Sequence, residues 1–209
     1  MKRRKFFTGG LVAGAFAGVT GASAEELKKT PKQTEGPFYP VIAQKDKDFD
    51  LTKVEGQEGI AQGKVVTIIG KVSGTDGNPI EGATVDLWQA NAAGRYNHPN
   101  ESNEAPLDPN FQGWAIVPSG KTGEFKFKTI VPGAYPASKD WFRPPHIHFK
   151  VTKLGYLELT TQMYFPGEKL NDTDKILQRV PEAERGLLIA KALEGMEDTL
   201  EFNMVLEMA

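Results

Sequence analysis

Histidine occurs three times in the 209 residues, as His98, His146 and His148. Two of these form His146-Ile147-His148, and on a β-strand positions i and i+2 project from the same face. Both imidazoles would then stand side by side while Ile147, Phe149 and Val151 fill the opposite face. Neighbouring imidazoles suit a transition-metal ion, because the neutral ring nitrogen is a good ligand. The same spacing suits a solvated strand face equally well. Arg143-Pro144-Pro145 leads directly into the pair, so a permanent cation lies close by in the chain. Tyr135 stands in Pro132-Gly133-Ala134-Tyr135-Pro136, and Tyr96 in Gly94-Arg95-Tyr96-Asn97-His98-Pro99. Taken singly, a tyrosine beside proline in a loop is ordinarily a packing residue with its hydroxyl in water. His98, beside Pro99, reads as a surface histidine rather than a ligand.

Other chemistries drop out on composition. With no cysteine there is no disulfide framework, thiolate zinc site, iron–sulfur ligation or cysteine nucleophile. A formal net charge of −2, from 25 Lys+Arg and 27 Asp+Glu, offers no basic surface for nucleic acid. A zinc hydrolase is disfavoured because no carboxylate stands at metal-ligand spacing from His146.

The elements that must position these residues are short strands. A hydrophobic content of 39% can build a core, and 22 Gly with 14 Pro favour frequent turns over long helices. Residues 25–63 read as an irregular arm: Pro31, Pro37 and Pro40 exclude a helix, and Phe38-Tyr39 should dock on the body. From Lys64 the pattern turns to β. Strands are expected at Val65–Val72, ending in the turn Thr75-Asp76-Gly77-Asn78-Pro79, and at Ala83–Gln89. Further strands are expected at Glu124–Ile130, His146–Thr152 and Leu157–Phe165, and a closing strand at Thr199–Met208. Glu182–Leu193, opened by Pro181, is the one helix candidate. The fold class that follows is all-β: an antiparallel β-sandwich over 64–209 with an irregular N-terminal arm and one short helix.

Residues 1–24 carry Lys2, Arg3, Arg4 and Lys5, then a Gly/Ala-rich apolar stretch, then Ala22-Ser23-Ala24 before Glu25. This resembles a twin-arginine export signal, so a periplasmic or secreted protein beginning at Glu25 is expected, with no stable membrane insertion after processing. Its removal leaves 21 basic against 27 acidic residues.

Six stretches, in order from Thr34 to about Phe165, closely resemble the intradiol ring-cleavage dioxygenases, above all the catalytic (beta) chain of the protocatechuate type. They are Thr34–Pro40, Asp86–Asn91, Gly94–Tyr96, Leu107–Phe111, Thr129–Pro136 and Arg143–Phe149. The resemblance implies a non-haem Fe(III) cofactor held by Tyr96, Tyr135, His146 and His148. It further implies that Tyr135 leaves the metal and takes a substrate proton, that Arg143 stabilises negative charge, and that Gln162 hydrogen-bonds substrate or oxygen. Tyr164 matches a nearby family residue, with core packing an equal reading. The implied reaction cleaves a catechol-type ring between its two hydroxylated carbons with O₂, giving a muconate-type diacid. The family's protocatechuate members pair two different chains around each site and carry tryptophan two residues after the tyrosine; here Ala137 stands there, so the pocket wall is altered. The oligomeric state, a homo-oligomer included, is left open. The competing reading is a noncatalytic β-sandwich that binds aromatics or carbohydrate and retains a relic metal site.

Overall fold

The computed structural model describes residues 26–44 and 46–209; the segment 1–24, expected to be an export signal, lies outside the described residues. Eleven strands run in the order β1 (Val65–Gly74), β2 (Thr84–Trp88), β3 (Trp114–Pro118), β4 (Glu124–Ile130), β5 (Tyr135–Ser138), β6 (Trp141–Arg143), β7 (His146–Thr152), β8 (Leu159–Tyr164), β9 (Lys191–Ala192), β10 (Thr199–Glu201) and β11 (Met204–Leu206). One sheet has the order β3-β2-β7-β8 and is antiparallel throughout. The second is centred on β1, which pairs antiparallel with β4 and parallel with both β10 and β11. β5 and β6 form a separate hairpin. The expected all-β sandwich is what the chain builds.

Alternation explains the sandwich. Val66, Ile68 and Val72 of β1 and Phe125 and Phe127 of β4 turn inward, against Val85 and Leu87 of β2 and Ile147, Phe149 and Val151 of β7. Phe149 lies within 5.4 to 6.2 Å of the rings of Phe125, Phe127 and Phe202, so the core is an aromatic cluster between the sheets. Gly70 of β1 must be glycine, because a Cβ there would lie 1.9 Å from the carbonyl oxygen of Phe202.

Three expectations change. The helix expected over Glu182–Leu193 is only Glu182–Arg185, followed by a 3₁₀ turn at Gly186–Leu188. Beyond it β pairing wins: Ala190 N–H donates to the Tyr164 carbonyl at 2.9 Å, and β9 joins β10. The closing strand Thr199–Met208 is broken into β10 and β11, because Phe202 N–H bonds to Ile69 O and the Asn203 side chain accepts from Lys71 N–H. Strand β3 and the β5–β6 hairpin were not expected at all.

The arm is irregular and docked, as expected, and one carboxylate fastens its far end. Asp50 accepts from Thr52 and from Lys128 Nζ at 3.0 Å. Burial pushes its pKa up, but the bonds from Thr52 and Lys128 outweigh this and hold it below the usual value of 3.8. A depressed carboxylate stabilises the fold above its unfolded pKa and loses that contribution as pH falls through the folded value. The stability difference between wild type and Asp50→Asn, followed by denaturation, should therefore be full above about pH 5 and shrink towards pH 2.

Candidate metal centre

Strand β7 brings the two histidines to one face, as their spacing requires, and its register sets their neighbours. His146 lies opposite Tyr164 of β8, and His148 lies between Gln162 of β8 and Trp88 of β2. Trp88 stacks on His148 with ring centroids 4.9 Å apart and planes 13° apart, which fixes the imidazole plane. His146 Nδ1 lies 2.6 Å from the Pro144 carbonyl oxygen, so Nδ1 carries the proton and Nε2 keeps its lone pair for the site.

The tyrosines arrive on loops tied together by Asn91. Its side-chain oxygen accepts from Ala93 N–H and Arg95 N–H, and its amide donates to Pro106 O. Its backbone oxygen accepts from both Gly94 and Gly133, so the Tyr96 loop and the Tyr135 loop share one anchor. Gly94 adopts φ +79°, and a Cβ there would sit 2.7 Å from Ala134 O. Only glycine lets the two loops approach this closely.

The result is convergence. Tyr96 Oη lies 3.1 Å from His148 Nε2 and 3.4 Å from His146 Nε2, and Tyr135 Oη lies 3.5 Å from His146 Nε2. Donor atoms each about 2.1 Å from a common ion are separated by roughly 3 to 3.5 Å, so these are the edges of a coordination polyhedron. All four residues are buried. Burial, reinforced by Arg143, pushes both imidazoles well down, His148 to about 3, so both are neutral at neutral pH. Burial pushes both phenols up, Arg143 opposing it, so they keep their protons unless a cation of high charge displaces them. Two imidazoles and two buried phenols with no carboxylate fit a hard, highly charged ion such as Fe(III). Among the described residues no group of three or more His, Cys, Asp or Glu side chains forms an alternative site.

Arg143 is buried beside this cluster. Its Nε donates to Asp174 at 2.7 Å, and its Nη2 donates to Gln162 Oε1 at 2.6 Å and to Tyr164 Oη at 3.4 Å. Arg143, Gln162 and Tyr164 thus form one network beside the histidines, and the buried ion pair belongs to it. His98 stays outside: its Nδ1 accepts from Asn100 N–H, and its ring meets Phe38 edge-on at 5.7 Å.

Two contributions go beyond the site residues that the resemblance implied. The arm is one wall of the site: Gly36 lies against His148, Phe38 stacks on Tyr96 at 4.9 Å, Gln162 donates to Thr34 O, and Tyr164 donates to Gln33. Behind Trp88, buried Asp86 accepts from Tyr39 Oη at 2.6 Å and Trp114 Nε1 at 2.8 Å, which fastens the arm to the β2–β3 pair. The adjacent Pro37-Phe38-Tyr39-Pro40 was the only signal of this docking.

A family model described as "Dioxygenase" matches residues 34–208. The beta chain of protocatechuate 3,4-dioxygenase from Burkholderia cepacia is 39% identical over 188 residues, covering 86% of this chain and 80% of that one. The 6-chlorohydroxyquinol 1,2-dioxygenase of Cupriavidus pinatubonensis is 36% identical over 129 residues, 56% of this chain and 45% of its own length. Among solved structures, the dioxygenase domain of a dioxygenase–carbohydrate-binding fusion protein from Streptomyces sp. SirexAA-E superposes with TM-score 0.66 at 30% identity, over 87% of this chain and all of that one.

Proposed function

Because the chain belongs to the intradiol ring-cleavage dioxygenases, we propose that it opens the ring of a catechol-type aromatic with O₂ to a muconate-type diacid, using Fe(III) held by Tyr96, Tyr135, His146 and His148. The observation that carries this reading is the approach of two phenolic oxygens and two imidazole nitrogens to within 3.1 to 3.5 Å of one another in a buried site. Bound there, a ferric ion would supply Lewis acidity to the reaction.

The chain's own residues divide the remaining work. His146 and His148 contribute neutral nitrogen donors whose planes are fixed by Pro144 O and Trp88. Tyr96, wedged against Phe38 and both histidines, would be the phenol that stays with the metal throughout. Tyr135 starts the β5–β6 hairpin and is less enclosed than Tyr96. Burial favours its neutral form, so its oxygen is a strong base once separated from a cation, and it accepts a proton from the incoming catechol. Arg143 presents a fixed positive charge to the negative charge that builds on the ring carbons and oxygen during cleavage. Gln162 holds that guanidinium through its oxygen while its amide nitrogen is tied to Thr34.

Purified protein should be wine-red from tyrosinate-to-Fe(III) charge transfer; colourless protein with one bound zinc overturns the reading. Oxygen uptake should follow addition of catechol, protocatechuate or hydroxyquinol, and the preferred ring identifies the substituents that the site admits. Tyr135→Phe should keep about one iron per chain and lose about 10- to 100-fold in kcat. Unchanged turnover would remove the proton-accepting role. The arginine pair and Ala22-Ser23-Ala24 support an exported mature protein. N-terminal sequencing of the periplasmic fraction should then begin at Glu25, and protein beginning at Met1 in the cytoplasm alone would overturn export.

A further inference from the structure

Asp174 lies in none of the motif stretches, yet it is fully buried against the metal face. It sits in the connection after β8, between a 3₁₀ turn at Lys169–Thr173 and another at Leu177–Arg179. Its two oxygens divide their partners. Oδ1 accepts from Ile176 N–H at 3.0 Å and Leu177 N–H at 2.8 Å, which ties down the start of the second turn, and from Tyr164 Oη at a longer 3.4 Å. Oδ2 accepts from Arg143 Nε at 2.7 Å. With Gln162 and Tyr164 on Nη2, the guanidinium is gripped along one edge, and Nη1 is left with hydrogen-bonding capacity to spare. The plane of a fork-shaped cation is settled once two of its nitrogens are held.

We infer that Asp174 is a positioning residue for the reaction: its Oδ2 locks the rotation of Arg143 so that Nη1 is aimed where charge builds on the substrate. The inference rests on the proposed dioxygenase function. Charge favours it too. Without Asp174 the buried guanidinium would lose its counter-charge and be held only through Nη2, by Gln162 and Tyr164. The loop after β8 is thereby made part of the active site, although it holds no ligand.

Asp174→Asn separates the two oxygens' duties. The remaining carbonyl oxygen can still cap Ile176 and Leu177, while the amide NH₂ faces the Nε–H of Arg143, donor against donor. In iron-loaded protein the variant should keep its metal content and its tyrosinate charge-transfer band. Its kcat should fall about 10- to 100-fold with KM within about 3-fold of wild type. The same substitution in an Arg143→Met background should change kcat by less than about 2-fold, since the group it acts through is gone. A kcat within about 3-fold of wild type, a loss matched by lost iron, or an equal loss in both backgrounds would each overturn the inference.

A second measurement needs neither iron nor turnover, and it decides the matter if the Arg143→Met chain does not fold. In the metal-free protein the Arg143 Nε–H should exchange with solvent slowly in wild type and at least about 10-fold faster in Asp174→Asn. Equal exchange rates would overturn the inference. Wild-type protein that oxidises no catechol while keeping a protected Nε–H would instead count against the proposed function, leaving the grip of Asp174 on Arg143 intact.

Discussion

His146→Gln and His148→Gln should each abolish iron retention and colour. Metal affinity is expected to fall by at least about 100-fold, more than the loss of an outer-shell partner causes. The reason lies in the phenols. Burial keeps Tyr96 and Tyr135 protonated, so each must be deprotonated at the metal's expense. The neutral imidazoles need no such step, so they would supply the nitrogen donors that hold an ion before either phenol ionises. An amide cannot replace the ring nitrogen in basicity. Metal analysis after gel filtration reads the effect directly, and a variant that retains one iron per chain would remove its histidine from the ligand set.

Arg143→Lys should leave iron in place and lower kcat about 100-fold, the usual cost of removing one oriented charge donor from a developing anion. Lysine keeps the charge but concentrates it on one nitrogen, which cannot serve Asp174, Gln162 and the substrate together. Removing the charge altogether with Arg143→Met should also strand the Asp174 carboxylate, at a stability cost of about 3 to 5 kcal/mol. Thermal denaturation of the two variants, set beside their turnover, separates lost geometry from lost charge. If Arg143→Lys turns over like wild type, the fork geometry is irrelevant to the reaction.

Much of this centre was legible in the sequence because period-2 alternation is a local property. His146-Ile147-His148 sorts itself to two faces whatever surrounds it, and the structure places Ile147 in the core and both imidazoles at the site. Tyr96 and Tyr135 were identifiable only through the surrounding motifs, since their approach depends on Asn91 bridging two loops and on glycine at position 94. Asp174 was invisible. Nothing near it signals a buried carboxylate, and its partner Arg143 lies 31 residues away. The failed helix beyond Arg185 shows the same limit: a favourable start at Pro181 was overridden by pairing with Tyr164 and β10, which no local pattern reports.

The parallel pairing of β1 with β10 and β11 governs how the chain reaches this state. β1 stands near the beginning of the domain, yet its Lys71 N–H is satisfied by Asn203, 132 residues later, and Thr30 of the arm bonds to Val205 across 175. Contacts of such high contact order carry a large loop-closure cost before they return any stability, so folding should be slow for a chain of this size. The central strand cannot complete its hydrogen bonds, nor the start of the arm at Thr30 find its partner Val205, until residues 199–206 are available. Until they do, the chain exposes an unpaired edge of β1 that holding chaperones would have to shield.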